Sequence, residues 1–98
     1  MADSLEPGEV VRSTKFNCFG IVIQETENPG AITMPVYYKV FLIEGFRSGQ
    51  ILGRPEDMMV PAELEPVAAG LVNPQDYGYN SEEELFRRWR ELAGIEPA

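Results

Sequence analysis

The chain has 98 residues, of which eight are basic and sixteen acidic, for a formal net charge of −8 at pH 7. This charge argues against direct binding to nucleic acid or to an anionic membrane, because both require a basic surface on the protein. The chain lacks histidine and has a single cysteine, Cys18, so the commonest general base and any intramolecular disulfide are excluded.

The length predicts a single folding unit with a modest hydrophobic core. The first residues, Met1–Glu6, lack the basic and apolar parts of a signal peptide, and no apolar run approaches the ~20 residues of a membrane span. We therefore expect a protein made in the cytoplasm, without membrane contact.

Short segments rich in β-branched and aromatic residues, separated by glycine and proline, predict about five strands in the first two thirds of the chain. The turn signal Asn28-Pro29-Gly30 separates the second strand from the third, and Arg54–Asp57 is predicted to interrupt the fourth. The predicted strands are Gly8–Ser13, Gly20–Glu25, Pro35–Ile43, Gln50–Gly53 with an extended continuation at Met58–Val60, and Glu65–Val67.

The segment Pro35–Ile43 is the longest apolar run and is predicted to be the central strand. Side chains alternate across a strand, so Val36, Tyr38, Val40 and Leu42 share one face. The opposite face is also largely apolar, and we expect both faces to be covered. Five short strands in about 60 residues suit a small barrel, because closure removes exposed edges.

The chain changes character after Val67. Residues 1–67 are predicted to form the barrel, and residues 68–98 an irregular linker followed by a helix. Ala68–Val72 is predicted to form a brief helical turn. Ser81 and Glu84 form a capping-box pattern that begins a helix, and Gly94 is expected to end it.

The predicted helix carries one apolar stripe, which includes Trp89. The stripe has two interpretations: it packs on the chain's own barrel, or it docks in a groove of another protein. Tyrosine and tryptophan are frequent in interface hot spots, and an exposed methionine suits an adaptable contact. The predicted partner-binding residues are Met58, Tyr77, Tyr79, Leu85, Phe86, Trp89 and Leu92.

Other groups with chemical potential have simpler interpretations. The carboxylate pairs Glu56-Asp57 and Glu63 with Glu65 lie in turn-like surroundings and are interpreted as solvated acids rather than an acid–base pair. Cys18 has no histidine or second cysteine to activate it, and is interpreted as a partly buried structural residue. We expect no catalytic, metal or cofactor site.

Four segments carry a resemblance to a known family. Gly8–Val11 resembles its first strand, Gly20–Ile23 its second, Tyr38–Phe41 its third, and Val60–Val67 its closing turn and last strand. In these segments the chain resembles the SH3-like small β-barrel accessory and structural proteins of tailed bacteriophages. The resemblance implies an all-β SH3-like barrel that acts as an adaptor or interaction module.

The expected function is therefore a non-enzymatic protein–protein interaction module, a small structural or adaptor component of a tailed-phage virion. The expected partner is a phage structural protein, and a homo-oligomer remains open. The alternative is an acidic inhibitor that mimics nucleic acid and binds a basic host protein. Salt separates the two, because binding by charge complementarity weakens steeply as ionic strength rises.

Overall fold

The structure, a computed structural model, describes residues 5–27 and 36–95. The elements in chain order are β1 (Val10–Ser13), β2 (Cys18–Glu27), β3 (Val36–Arg47), β4 (Gln50–Met59), β5 (Leu64–Pro66) and the helix α1 (Glu82–Leu92). Short 3-10 helices lie at Pro61–Glu63 and Pro74–Tyr77. The prediction of a mainly β fold with about five strands and a C-terminal helix is confirmed. The predicted turn at Asn28-Pro29-Gly30 lies outside the described residues.

The five strands form a single antiparallel sheet in the order β4-β3-β2-β1-β5. The sheet is not closed into a barrel, which corrects the closed SH3-like barrel expected from the spacing. β5 has only three residues, all paired with β1, and β4 pairs with β3. The two edge strands therefore end the sheet, and register shifts in β2, β3 and β4 bend it without joining its edges.

β4 continues through Pro55, where the sequence predicts a break. Phe41 faces Pro55 in the β3–β4 register, so the proline lies inside the strand. An edge strand tolerates proline where the missing N–H would point away from the sheet. The turn also lies later than expected, because β3 extends to Arg47 and Ser48-Gly49 alone connect it to β4.

β3 is the longest strand and pairs on both sides, although β2 occupies the middle of the sheet. The alternation predicted for β3 sends its side chains to two separate cores. One face contributes to the first core, which comprises Leu5, Val11, Val22, Tyr38, Val40, Leu42, Met59 and Leu64. The other face contributes to the second core, whose buried members are Val10, Ile21, Ile43, Val72, Leu85 and Trp89.

Tyr38 ties the N-terminal segment to the first core. Its side chain is almost fully buried, and its hydroxyl accepts a hydrogen bond from the Leu5 N–H at 3.1 Å. The same hydroxyl donates to Glu25 Oε2 at 3.0 Å, so the buried phenol is satisfied on both sides. This link closes one end of the first core over a separation of 33 residues along the chain.

Helix α1 packs on the chain's own sheet through Leu85 and Trp89, the two fully buried residues of its apolar stripe. Ser81 Oγ accepts a hydrogen bond from the Glu84 N–H at the start of the helix, and Gly94 follows its end with φ 83°. Arg90 Nε donates to the Gly8 carbonyl at 2.8 Å, which fixes the second half of the helix to the N-terminal segment.

The linker before the helix contains a turn at Ala68–Leu71 instead of the predicted helical turn at Ala68–Val72. The Leu71 N–H donates to the Ala68 carbonyl, and the Gly70 N–H donates to Glu82 Oε2 at 2.9 Å. Glycine at position 70, with φ 85°, favours a tight turn over a helix. Across residues 5–27 and 36–95, no helix has the length and apolar character required to cross a membrane.

Leu85 lies on the inner face of α1 and is fully buried in the second core. Its truncation should therefore destabilise the whole domain. We expect Leu85→Ala to lower the free energy of unfolding by about 2–4 kcal/mol through lost apolar contact and a residual cavity. Urea denaturation followed by circular dichroism measures the change. The control Arg87→Ala alters an exposed side chain of the same helix and should stay within about 0.5 kcal/mol of the parent. Equal effects of the two substitutions would contradict packing of the helix on the sheet.

Candidate protein-docking surface

A shallow groove lies between the start of β4 and the second half of α1, and we call it the helix–hairpin groove. Its volume is about 290 Å³. The tight turn at Ser48-Gly49, with φ values of 53° and 79°, holds the start of β4 beside the helix. On the helix, Arg88 and Leu92 lie one turn apart on the same face. The groove is lined by Gly49, Gln50, Ile51, Tyr79, Arg88 and Leu92.

A second depression of about 270 Å³ adjoins the groove and shares two of its residues, Tyr79 and Arg88. Its remaining lining residues are Glu84, Arg87 and Glu91. Together with Arg88, the depression therefore has two acidic and two basic residues, and its net charge is zero. Arg88 Nη1 lies 3.3 Å from Glu91 Oε1, and both side chains are about half exposed. An ion pair this exposed contributes little to stability, so breaking it costs little free energy.

Six of the seven predicted partner-binding residues lie in the groove or pack in the second core, and Met58 lies apart from both. Tyr79 and Leu92 line the groove. Leu85 and Trp89 are fully buried, so their side chains serve the domain's own packing.

Tyr77 and Phe86 are half-buried beside the tryptophan. The Tyr77 ring meets Trp89 edge-on at 5.3 Å, and the Phe86 ring stacks on it at 5.3 Å. Burial, followed by the nearby Asp76 carboxylate, raises the pKa of the Tyr77 hydroxyl above its ordinary value. These two residues pack against the second core and do not line the groove.

Met58 lies apart from the groove, on β4. Its side chain is 60 % exposed, while that of Met59 is buried in the first core, which confirms the prediction of one buried and one exposed methionine. The register shift between Tyr38 and Val40 places Met58 in a bulge, and its φ is 62°. A non-glycine residue in this left-handed region is strained by about 1–2 kcal/mol. The bulge thus holds an apolar side chain in solvent at a cost in backbone strain.

A third depression, of about 280 Å³, includes Cys18, and its lining residues are Phe16, Asn17, Cys18, Leu42, Glu44 and Arg54. Arg54 Nε lies 3.1 Å from Glu44 Oε2, and Arg54 also contacts Glu56. The same guanidinium lies 5.1 Å from the centre of the Phe16 ring. Burial, reinforced by Glu44, raises the pKa of the Cys18 thiol, so the thiol is protonated at neutral pH. The charged residues of this depression therefore hold one another in place, and we do not take it as a binding site.

The carboxylate pairs singled out in the sequence have local structural partners. Glu63 Oε1 accepts a hydrogen bond from the Val60 N–H at 3.3 Å, and Glu65 lies 3.5 Å from Arg12. Asp57 lies 4.0 Å from Lys39 at the surface. Among residues 5–27 and 36–95, no cluster of three or more acidic or cysteine side chains is arranged to hold a metal ion.

Sequence reasoning missed the residues that complete the groove. Ile51 was predicted only as part of a short strand, and Arg88 was not among the predicted partner-binding residues. The spacing of Arg88 and Leu92 is the one signal in the sequence that places them together. Contact of that face with the β3–β4 hairpin depends on packing between distant segments.

Comparison with protein-family models, curated proteins and solved structures finds no match to this chain.

The strain at Met58 is testable with glycine, which adopts positive φ without steric cost. We expect Met58→Gly to raise the free energy of unfolding by about 0.5–1 kcal/mol, the relief of strain exceeding the entropic cost of glycine. Denaturant titration at equilibrium measures the difference. Met58→Ala is the matched control, since it removes the same side chain but keeps the Cβ that causes the strain. If both variants had the same stability, the backbone argument would be wrong.

The environment of Cys18 predicts a pH profile for thiol modification. Burial and Glu44 disfavour the thiolate, so alkylation by iodoacetamide should have its midpoint at a higher pH in the folded chain than in urea. Because the folded chain holds this proton more tightly, its stability falls as the pH rises above the pKa of the unfolded thiol. Glu44→Gln should lower the midpoint of the folded chain. Coincident folded and unfolded profiles would refute this description of the thiol.

Proposed function

We propose that this chain is a non-enzymatic module that binds another protein through the helix–hairpin groove. The observation that carries the proposal is the combination of Tyr79, Arg88 and Leu92 on one open surface beside an edge strand. Tyrosine and arginine provide large contact area with a polar end, and they are enriched among residues that dominate binding energy. Leucine adds apolar area that a partner can cover.

The electrostatics of the domain suit a binding role. Several of its carboxylates lie in local ion pairs or in hydrogen bonds that hold the fold, as those of Glu63 and Glu82 do. The Cys18 thiol is protonated, which makes it a poor nucleophile at neutral pH. These features favour recognition over chemistry in the described part of the chain.

We further propose that the module is a small structural or adaptor component of a tailed-phage particle. This context rests on the resemblance of the four segments between Gly8 and Val67 to SH3-like phage proteins. The proposed partner is another structural protein of the particle, and virion localisation follows from that partner. The acidic-inhibitor alternative rests on the net charge of −8. One of the acidic residues, Glu82, already has a structural role, because its carboxylate accepts a hydrogen bond from the Gly70 N–H in the linker turn.

Affinity capture with the tagged full chain tests the proposal at low and at high salt. We expect capsid, neck or tail proteins to remain bound at both salt concentrations, because apolar contacts are little affected by screening. Tyr79→Ala should weaken binding about tenfold or more. Tyr37→Ala is the matched control, a half-buried tyrosine on β3 outside the groove.

Two outcomes would contradict the proposal. Recovery of a basic enzyme at low salt only would favour the inhibitor. Equal loss of binding in the two tyrosine variants would mean that the groove is not the contact surface. Circular dichroism of each variant separates loss of binding from loss of fold.

A further inference from the structure

The polar groups of the helix–hairpin groove favour an anionic group on the partner. Among the described residues that line it, Arg88 is the only charged one, and Tyr79 and Gln50 add a hydroxyl and an amide. A guanidinium donates two parallel hydrogen bonds to one carboxylate, which no basic side chain can accept. The groove therefore suits a carboxylate, although the whole chain has a net charge of −8.

The carboxylate that Arg88 contacts within the chain holds it only weakly. Glu91 lies three residues further along α1, and its Oε1 atom is 3.3 Å from Arg88 Nη1. Both side chains are about half exposed, and a pair this exposed contributes little to stability. A partner carboxylate that is also positioned by other contacts can therefore compete with Glu91 for the guanidinium.

Such other contacts are offered by β4, which forms one edge of the sheet. Arg47 and Gln50 flank the two-residue turn, and residues in this position exchange hydrogen bonds with each other. Alternation along the strand then directs the N–H and C=O groups of Ile51 and Gly53 away from β3. The next outward position is Pro55, which has no N–H to donate, so the open part of this edge ends at Gly53.

The open part of the edge meets the groove at Ile51, which belongs to both. The Ile51 side chain packs against the second core, so the groove lies on the face of the sheet that α1 covers. A peptide that adds a strand to an edge gains affinity from backbone hydrogen bonds and specificity from its alternate side chains. Those on the groove side of an added strand would face Arg88 and Leu92.

We propose that the helix–hairpin groove recognises an acidic, extended segment of a partner protein. The segment pairs with the open part of β4, one of its carboxylates binds Arg88, and a neighbouring apolar side chain on the same face covers Leu92. Salt affects this binding little, because one ion pair at an exposed arginine accounts for about fivefold in affinity at most. This inference rests on the proposed function, since it specifies the chemistry of the segment which that surface binds.

The probe is a peptide of about seven residues with both ends capped, Thr-Val-Thr-Glu-Thr-Val-Thr, whose valines and glutamate share one face of a strand. In two comparison peptides, glutamine or lysine replaces the glutamate. We expect the full-length chain to bind the glutamate peptide about threefold or more tightly than the glutamine peptide, and the lysine peptide most weakly. Equal affinities, or tightest binding of the lysine peptide, would overturn the proposal.

Two substitutions on α1 isolate the contact with Arg88. Arg88→Gln should abolish the preference for glutamate over glutamine and leave the affinity for the glutamine peptide within about twofold. Arg87→Gln is the matched control and should keep the preference, because it makes the same charge change in the adjoining depression and not in the groove. Glu91→Gln removes the competing carboxylate and should strengthen binding of the glutamate peptide. Equal effects of the two arginine substitutions would overturn the proposed contact.

Amide hydrogen exchange tests the strand pairing. Exchange at Ile51 and Gly53 should slow about tenfold or more when the glutamate peptide is saturating, and methylation of alternate peptide nitrogens should abolish this protection. Protection confined to other residues would overturn strand addition. Protection of these two amides that grows with the concentration of the chain alone would assign the edge to a second copy, and would also overturn the proposal.

Failure of this inference is distinguishable from failure of the proposed function. If Tyr79→Ala abolishes capture of the partner while the chain has no preference for the glutamate peptide, the groove binds protein and only the acidic segment is overturned. If the unaltered chain retains no partner at either salt concentration but shows the peptide preference and the amide protection, the proposed function fails and the binding chemistry of the surface stands.

Discussion

Burial of both faces of β3 is the constraint on which the rest of the domain depends. Tyr38, Val40 and Leu42 point into the first core, while Ile43 points into the second. A single sheet cannot cover both of its own faces, so an element from outside the sheet must shield one of them. Helix α1 shields the face that carries the second core, and its apolar side packs against the apolar residues of that face. The groove lies where the helix, packed on the sheet, comes beside the start of β4.

Much of this fold is encoded in local patterns that can be recognised without a structure. The alternation in β3 and the Ser81–Gly94 helix signals come from neighbouring residues, and they predicted their elements correctly. The predicted barrel closure was wrong: the edge strands β4 and β5 are neighbours along the chain, but the described sheet does not pair them, and periodicity within a strand does not show which strands pair. The continuity of β4 through Pro55 was missed for a related reason: proline weakens a strand only if its N–H would have been used, and that depends on which side of the strand is paired.

The docking surface was predictable in residue type but not in geometry. Aromatic and apolar residues of the last third were identified as candidates, and Tyr79 and Leu92 do line the groove. The same pattern also selected Leu85 and Trp89, which are buried in the second core. Helical periodicity shows which residues share a face, but it does not show which part of that face is covered by the chain itself. Ile51 and Arg88 enter the surface only through that packing.

The position of Trp89 gives the domain a built-in optical reporter. It is the chain's only tryptophan, it is fully buried, and it lies on the helix between the rings of Phe19, Tyr77 and Phe86. Its emission spectrum therefore follows the attachment of the helix to the sheet, because an indole that enters water emits at longer wavelength. Far-ultraviolet dichroism follows the backbone of the sheet and helix together. Helix detachment and global unfolding can thus be resolved in the unlabelled protein.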